Sequence, residues 1–123
     1  MLKLLFIGIT LLAVDSIYLS LIKSYFQKQI QSVQQSPIQI NYLGAAICYI
    51  CLAVGLNHFI IKPNRPLRDA FLLGLVIYGV YESTNYALFS KWAFTTVIID
   101  TLWGGALFAI STYIIRNVLP KII

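Results

Sequence analysis

The sequence predicts an all-α integral membrane protein: a four-helix bundle, up-down-up-down, with both termini on the same, cytoplasmic side. Three observations predict it. The chain of 123 residues is 59% hydrophobic and only 11% charged, too apolar for an ordinary soluble domain. Its polar residues are clustered rather than spread, as they are in membrane proteins. The stretches 2–22, 38–61, 70–89 and 93–115 are each long enough to cross the hydrocarbon core, which takes about 20 helical residues.

The first helix is read over about 2–25. Lys3, the apolar run behind it and small residues near Ala13 also look like a signal peptide, but the pattern continues past that point to Tyr18 and Ile22. A loop over 27–36, rich in Gln and Ser, leads to Pro37, a favourable helix-start residue, and to a second helix over about 38–61. Two prolines in Lys62-Pro63-Asn64-Arg65-Pro66 break any helix there. The third helix is read over about 67–89 and the fourth over about 93–117. Between them Ser90-Lys91-Trp92 is a turn short enough to make the two helices antiparallel neighbours. These elements use nearly the whole chain, so 1–123 reads as a single transmembrane domain. Tyr25, Phe89 and Trp92 fall where an interfacial aromatic belt is expected.

The net charge of +5 would suggest nucleic acid in a soluble chain, but here the basic residues flank the helices. Lys3, Lys62, Arg65, Arg68, Arg116 and Lys121 lie at one side of the alternating topology, and Lys23, Lys28 and Lys91 at the other. That bias of six to three places both termini in the cytoplasm. The expected partner is the lipid bilayer rather than nucleic acid, and the segment 62–68 is placed to meet anionic headgroups.

Three of the four acidic residues, Asp15, Glu82 and Asp100, sit inside apolar stretches. A charged side chain at the bilayer centre costs about 2.5–3.5 kcal/mol on insertion scales, so such residues mark sites or polar clamps. Asp15 lies seven residues before Ile22, Glu82 seven before Phe89, and Asp100 seven after Ala93. At 1.5 Å per residue, all three fall about 10 Å below one face. The fourth acid, Asp69, follows Arg65 and Arg68 at a helix start, where the helix dipole accounts for it.

Helical spacing puts each of the three acids on a stripe. Gly74, Tyr78, Glu82 and Asn85 share a face of the third helix, bordered by Tyr81. Thr96, Asp100, Trp103, Gly104, Leu107 and Ser111 share a face of the fourth, and Leu11, Asp15, Tyr18 and Ile22 a face of the first. On the second helix the small and polar residues Asn41, Gly44, Cys48, Cys51, Gly55 and His58 repeat with heptad-like spacing. Stripes of this kind let helices approach closely and hide polar groups from lipid. Three carboxyls so close cannot all ionise without a cation or a base nearby, so the layer is balanced by protons, a metal ion, a cationic ligand or water.

The same residues carry a resemblance. Val14-Asp15-Ser16-Ile17-Tyr18-Leu19 resembles an LD-x-x-W-L signature, and Tyr78-Gly79-Val80-Tyr81-Glu82-Ser83-Thr84-Asn85-Tyr86-Ala87 resembles YG-x-YD-x-TN-x-A. Lys91-Trp92 is similar to a KDW motif, and Asp100-Thr101-Leu102-Trp103-Gly104-Gly105 to D-x-x-WG. Together they resemble the predicted membrane protein family known as domain of unknown function 2177, over nearly the whole chain. Glu82 stands where that pattern has Asp, and Tyr18 where it has Trp. Acidic and aromatic character are kept, whereas a strict metal geometry would be altered by the longer Glu. The resemblance implies four helices and a polar site, and it implies no activity.

Other chemistries are weaker. Cys48 and Cys51 form a C-x-x-C well inside a helix, without a second pair to relay electrons, and read as small packing residues. His58 is the sole histidine and lies far from the acidic layer. With no zinc motif, nucleophile triad or phosphate loop in the sequence, no cofactor and no metal centre are expected.

The leading expectation is a transporter-like or channel-like protein that binds a proton, cation or cationic ligand. Its polar core would comprise Asp15, Tyr18, Tyr78, Tyr81, Glu82, Asn85, Asp100 and Trp103. Four short helices make a narrow pore alone, so a homo-oligomer is expected. The alternatives are an intramembrane enzyme acting on lipid, with Glu82 or Asp100 as general acid or base, and a structural or assembly subunit. In the last case the carboxyls would serve as hydrogen-bonded clamps with Tyr18, Tyr78, Asn85 and Trp103.

Overall fold

A computed structural model describes residues 2–35 and 41–122. These form four helices: α1 (Leu2–Gln34), α2 (Tyr42–Leu56), α3 (Leu67–Leu88) and α4 (Phe94–Ile122). Among the described residues there is no strand.

At 33 residues, α1 is about 50 Å long, well beyond the roughly 30 Å of a hydrocarbon core. Its backbone leaves helical geometry at Ile22 (φ −113°, ψ 16°), where the apolar run gives way to a segment rich in Lys, Gln and Ser. That segment is helical as far as Gln34, which corrects the reading of a loop beginning at 27 and of the helix as ending near 25. Gln and Lys are good helix formers, so polarity alone is no sign of a loop. The helix ends at Gln35, which takes the left-handed conformation (φ 59°) and returns its N–H to the Gln31 carbonyl at 2.7 Å.

The expected helix start at Pro37 lies outside the described residues. The described part of α2 begins behind Asn41, whose side chain accepts the Gly44 N–H at 3.1 Å as an N-cap. At its far end α2 widens into a π-helical turn, Asn57–Ile61, closed by the Lys62 N–H on the Asn57 carbonyl at 2.8 Å. Pro63 and Pro66 forbid further helix, and Asn64 turns the chain at φ 56°. Arg116 of α4 reaches this end, donating to the carbonyls of Ile60 and Arg65. At the start of α3, Arg65 pairs with Asp69 at 2.7 Å, an exposed i,i+4 pair of small energetic weight. The fourth helix runs beyond the expected 117 to Ile122, with Pro120 inside it.

Helices α3 and α4 pack most intimately, along a register set by glycines. A Cβ placed on Gly74 would collide with the Gly104 carbonyl and stand 2.9 Å from the Phe108 Cβ. One placed on Gly104 would enter the Tyr78 ring, and one on Gly105 would stand 2.7 Å from Phe71. The two backbones meet because no side chain separates them. Helix α1 lies against α4 and α2, whereas α2 meets α4 mainly around its π turn. Ile7, Leu11, Leu56, Leu107, Phe108 and Ile115 form a fully buried apolar core.

The face of α2 that enters this core carries Leu52, Ala53, Leu56 and Ile60. The small and polar stripe read on this helix points elsewhere: Cys48 and Cys51 are exposed, and nothing lies within 4 Å of a Cβ built on Gly55. Among the described residues three stretches are long and apolar enough to span a membrane: Leu2–Gln34, Tyr42–Ile61 and Phe94–Pro120. Helix α3 is long enough at 22 residues but less apolar, because Tyr78, Tyr81, Glu82, Ser83, Thr84, Asn85 and Tyr86 fall within it.

Candidate acidic site

The carboxyls of Asp15 (α1), Glu82 (α3) and Asp100 (α4) are buried at 7%, 0% and 6% exposure, away from the lipid-facing surface. They converge. The Asp100 carboxyl lies within electrostatic reach of both Glu82 and Asp15, and the Tyr18 hydroxyl within reach of all three. Tyr78, whose ring covers Gly104, lies within reach of Asp15 and Asp100.

Their hydrogen-bond partners are neutral. Asp15 accepts the Trp103 indole N–H on Oδ1 at 2.8 Å and the Tyr49 hydroxyl on Oδ2. Asp100 Oδ1 accepts the Tyr18 hydroxyl at a long 3.4 Å. The Tyr18 ring stacks on Trp103 with centroids 4.4 Å apart and planes 6° from parallel, so one aromatic pair serves two carboxyls. Glu82 Oε1 accepts the Trp92 indole N–H at 2.8 Å, whereas its Oε2 is buried without a partner. Among the described residues the ion pairs all involve Asp69, and no group of three His, Cys, Asp or Glu side chains could hold a metal ion.

A second polar cluster lies beside the α3–α4 turn. The Gln29 amide donates to the Lys91 carbonyl at 2.9 Å and accepts the Ala93 N–H at 3.0 Å and the Thr96 hydroxyl at 2.7 Å. Tyr25 shares a hydrogen bond of 2.8 Å with the same Thr96 hydroxyl. These bonds dock the outer segment of α1 on the turn and explain why it is ordered as helix.

The model of a family described as "Predicted membrane protein (DUF2177)" matches residues 1–115, nearly all of the chain and every residue of the acidic site. The chain belongs to that family. It is an integral membrane protein that crosses the bilayer more than once, with three helices suited to doing so. No curated protein matches it, and no solved structure does.

In this DUF2177 protein, six of the eight residues read from sequence as a polar core stand together: Asp15, Tyr18, Tyr78, Glu82, Asp100 and Trp103. Asn85 is buried on the same stripe of α3, one turn from Glu82. Tyr81 is not part of the site, being 56% exposed on the outer face of α3. Three participants escape a reading of stripes. Trp92, read as part of an interfacial belt, is 5% exposed and faces Glu82 instead. Its signal is the Lys91-Trp92 piece of the family pattern, where an indole donor sits in a turn near an acid. Tyr49 lies off the stripe read on α2, and Gln29 lies in the segment read as a loop.

Proposed function

We propose that Glu82 and Asp100 share a proton, and that this DUF2177 protein is a transporter-like membrane protein whose buried acids bind and release protons. The supporting observation is the Glu82 Oε2: fully buried, without a hydrogen-bond partner, on a carboxyl close enough to interact with Asp100. An unsatisfied buried acceptor costs about 1–3 kcal/mol, and more when charged. A single proton held between the two carboxyls supplies the missing donor and removes one of two facing like charges. Among cations the proton suits the site best, because it needs only one pair of acceptors, whereas among the described residues no group of three His, Cys, Asp or Glu side chains is placed to hold a metal ion. A homo-oligomer fits this reading, since the small residues of α2 face outward and leave room for a second copy.

The test is proton movement by the purified protein in sealed vesicles carrying a pH-sensitive dye. The expected result is flux that is lost in Glu82→Gln and Asp100→Asn while both variants remain inserted. Glu82→Gln keeps an acceptor for Trp92 and so separates loss of the proton site from loss of the fold. Undiminished flux in both variants would rule the reading out.

A second reading, an enzyme acting on lipid, draws on one observation. An apolar groove of about 410 Å³ runs between α1 and α2, lined by Gly8, Leu12 and Ala53 among others, and Tyr49 is in its wall while bonded to Asp15. An acyl chain in that groove would lie beside the acidic site. Chemically altered lipid recovered from vesicles, without proton flux, would favour it.

A further inference from the structure

We propose that Gln29 is a positioning residue for the acidic site: it holds Trp92 as the donor to Glu82, so the outer segment of α1 acts on the buried acid from beyond the Ile22 break. The consequence for proton binding rests on the reading above; the positioning does not.

The Gln29 amide brackets Trp92. Its Nε2 donates to the carbonyl of Lys91 at 2.9 Å, and its Oε1 accepts the N–H of Ala93 at 3.0 Å, the residues on either side of Trp92. The orientation of the amide is fixed, because one end faces a carbonyl and the other an N–H. With Trp92 N–H also donating to the Phe89 carbonyl at 3.1 Å, the backbone that carries the indole is tied from three sides. The indole N–H then meets Glu82 Oε1 at 2.8 Å.

An amide is the group this task needs, since it carries a donor and an acceptor at one end of the side chain. Glu offers no donor, Leu offers neither, and Asn is a methylene shorter. Gln29 is only 8% exposed, whereas Lys28 and Gln31 of the same segment face outward. Its Oε1 also takes the Thr96 hydroxyl at 2.7 Å, one helical turn before Asp100. The same amide therefore touches the turn that orients the Glu82 donor and the helix that carries Asp100. Ile22 is the residue where α1 departs from helical geometry, and it separates this outer segment from the part that carries Asp15.

The experiment compares the full-length wild type with Gln29→Ala, Gln29→Glu and, as a control on the exposed face of the same segment, Lys28→Ala. The readouts are the indole N–H resonances of Trp92 and Trp103 and the carboxyl infrared band assigned through Glu82→Gln. Gln29→Ala is expected to abolish the hydrogen-bonded Trp92 resonance, leave Trp103 in place and move the pH at which the Glu82 band titrates. Gln29→Glu keeps the acceptor but not the donor, and is expected to shift Trp92 less; Lys28→Ala is expected to shift nothing. An unmoved Trp92 resonance in Gln29→Ala would overturn the proposal. If that variant does not fold, an unmoved resonance in Gln29→Glu would overturn it equally. A wild-type Glu82 band that never titrates would sink the shared-proton reading, while the Trp92 resonance would still decide the role of Gln29.

Discussion

The α3–α4 pair and the α2 helix are held in place by different physics. Between α3 and α4, Gly74, Gly104 and Gly105 bring backbone against backbone and against the rings of Tyr78 and Phe71. Helix α2 is the more apolar of the two regions, yet it joins the rest through one partial face and a few polar tethers. These are Tyr49 on Asp15 and Arg116 on the Ile60 carbonyl. In water the more apolar helix would be the better buried. In lipid there is no hydrophobic drive between helices, so close packing and hydrogen bonds decide. The less apolar α3 is accordingly the better packed, and it carries Glu82 at the most buried position of the acidic site.

This contrast is broken most forcefully at the glycines. Gly74→Ala sets a Cβ against the Gly104 carbonyl with Phe108 2.9 Å away, and backbone cannot step aside as a flexible side chain can. Overpacking of this kind costs about 1–3 kcal/mol and sometimes more. The expected outcome is a lower denaturation midpoint in detergent micelles, with loss of the Trp92 hydrogen-bonded resonance, because that indole reaches from the α3–α4 turn to Glu82 on α3, and a smaller change at Trp103, which bonds Asp15 on α1. A midpoint equal to wild type would show that the two helices have room to separate, and that the glycines do not set their distance.

Much of this arrangement can be read from the chain, and the gaps have identifiable causes. Asp15, Glu82 and Asp100 stand out because an acid in a membrane helix needs a reason, and helix geometry alone predicts their common depth. The inward stripes of α1, α3 and α4 are legible because each is pinned by an acid. The stripe on α2 has no such anchor: small residues suit a lipid-facing surface as well as a helix contact, and the buried side carries Leu52, Leu56 and Ile60 instead. Gln29 is hidden by a different ambiguity. A run of Gln, Ser and Lys looks the same whether it is loop or solvated helix, and only the partners Lys91, Ala93 and Thr96 reveal which. Trp92 is misread because an indole near a helix end satisfies the rule for an interfacial belt, although a buried acceptor outcompetes water for its N–H.

The polar tethers of α2 give a smaller effect than the glycines. Tyr49→Phe removes the hydroxyl from Asp15 Oδ2 and keeps the ring. Interhelical hydrogen bonds in membranes average about 0.6 kcal/mol, so global stability should fall by about that amount. The local effect should be larger: faster amide exchange in the middle of α2 and faster thiol labelling of Cys48, with α3 and α4 unchanged. Equal loosening of α3 would mean that the carboxyl cluster transmits the change, and that the two regions are less separate than their packing implies.

The smallest effect is expected at Gly55. Nothing lies within 4 Å of a Cβ built there, so Gly55→Ala adds a methyl to open space while removing a helix-weakening glycine. Within one chain the stability should stay within about 0.5 kcal/mol of wild type, or rise slightly. The size of the protein in micelles turns this neutral substitution into a measurement. If a second copy packs on the face of Cys48, Cys51 and Gly55, Gly55→Leu should shift the protein to monomer while leaving its fold and Trp92 resonance intact. An unchanged size for Gly55→Leu assigns that face to lipid, and leaves the difference between the two regions as a property of the single chain.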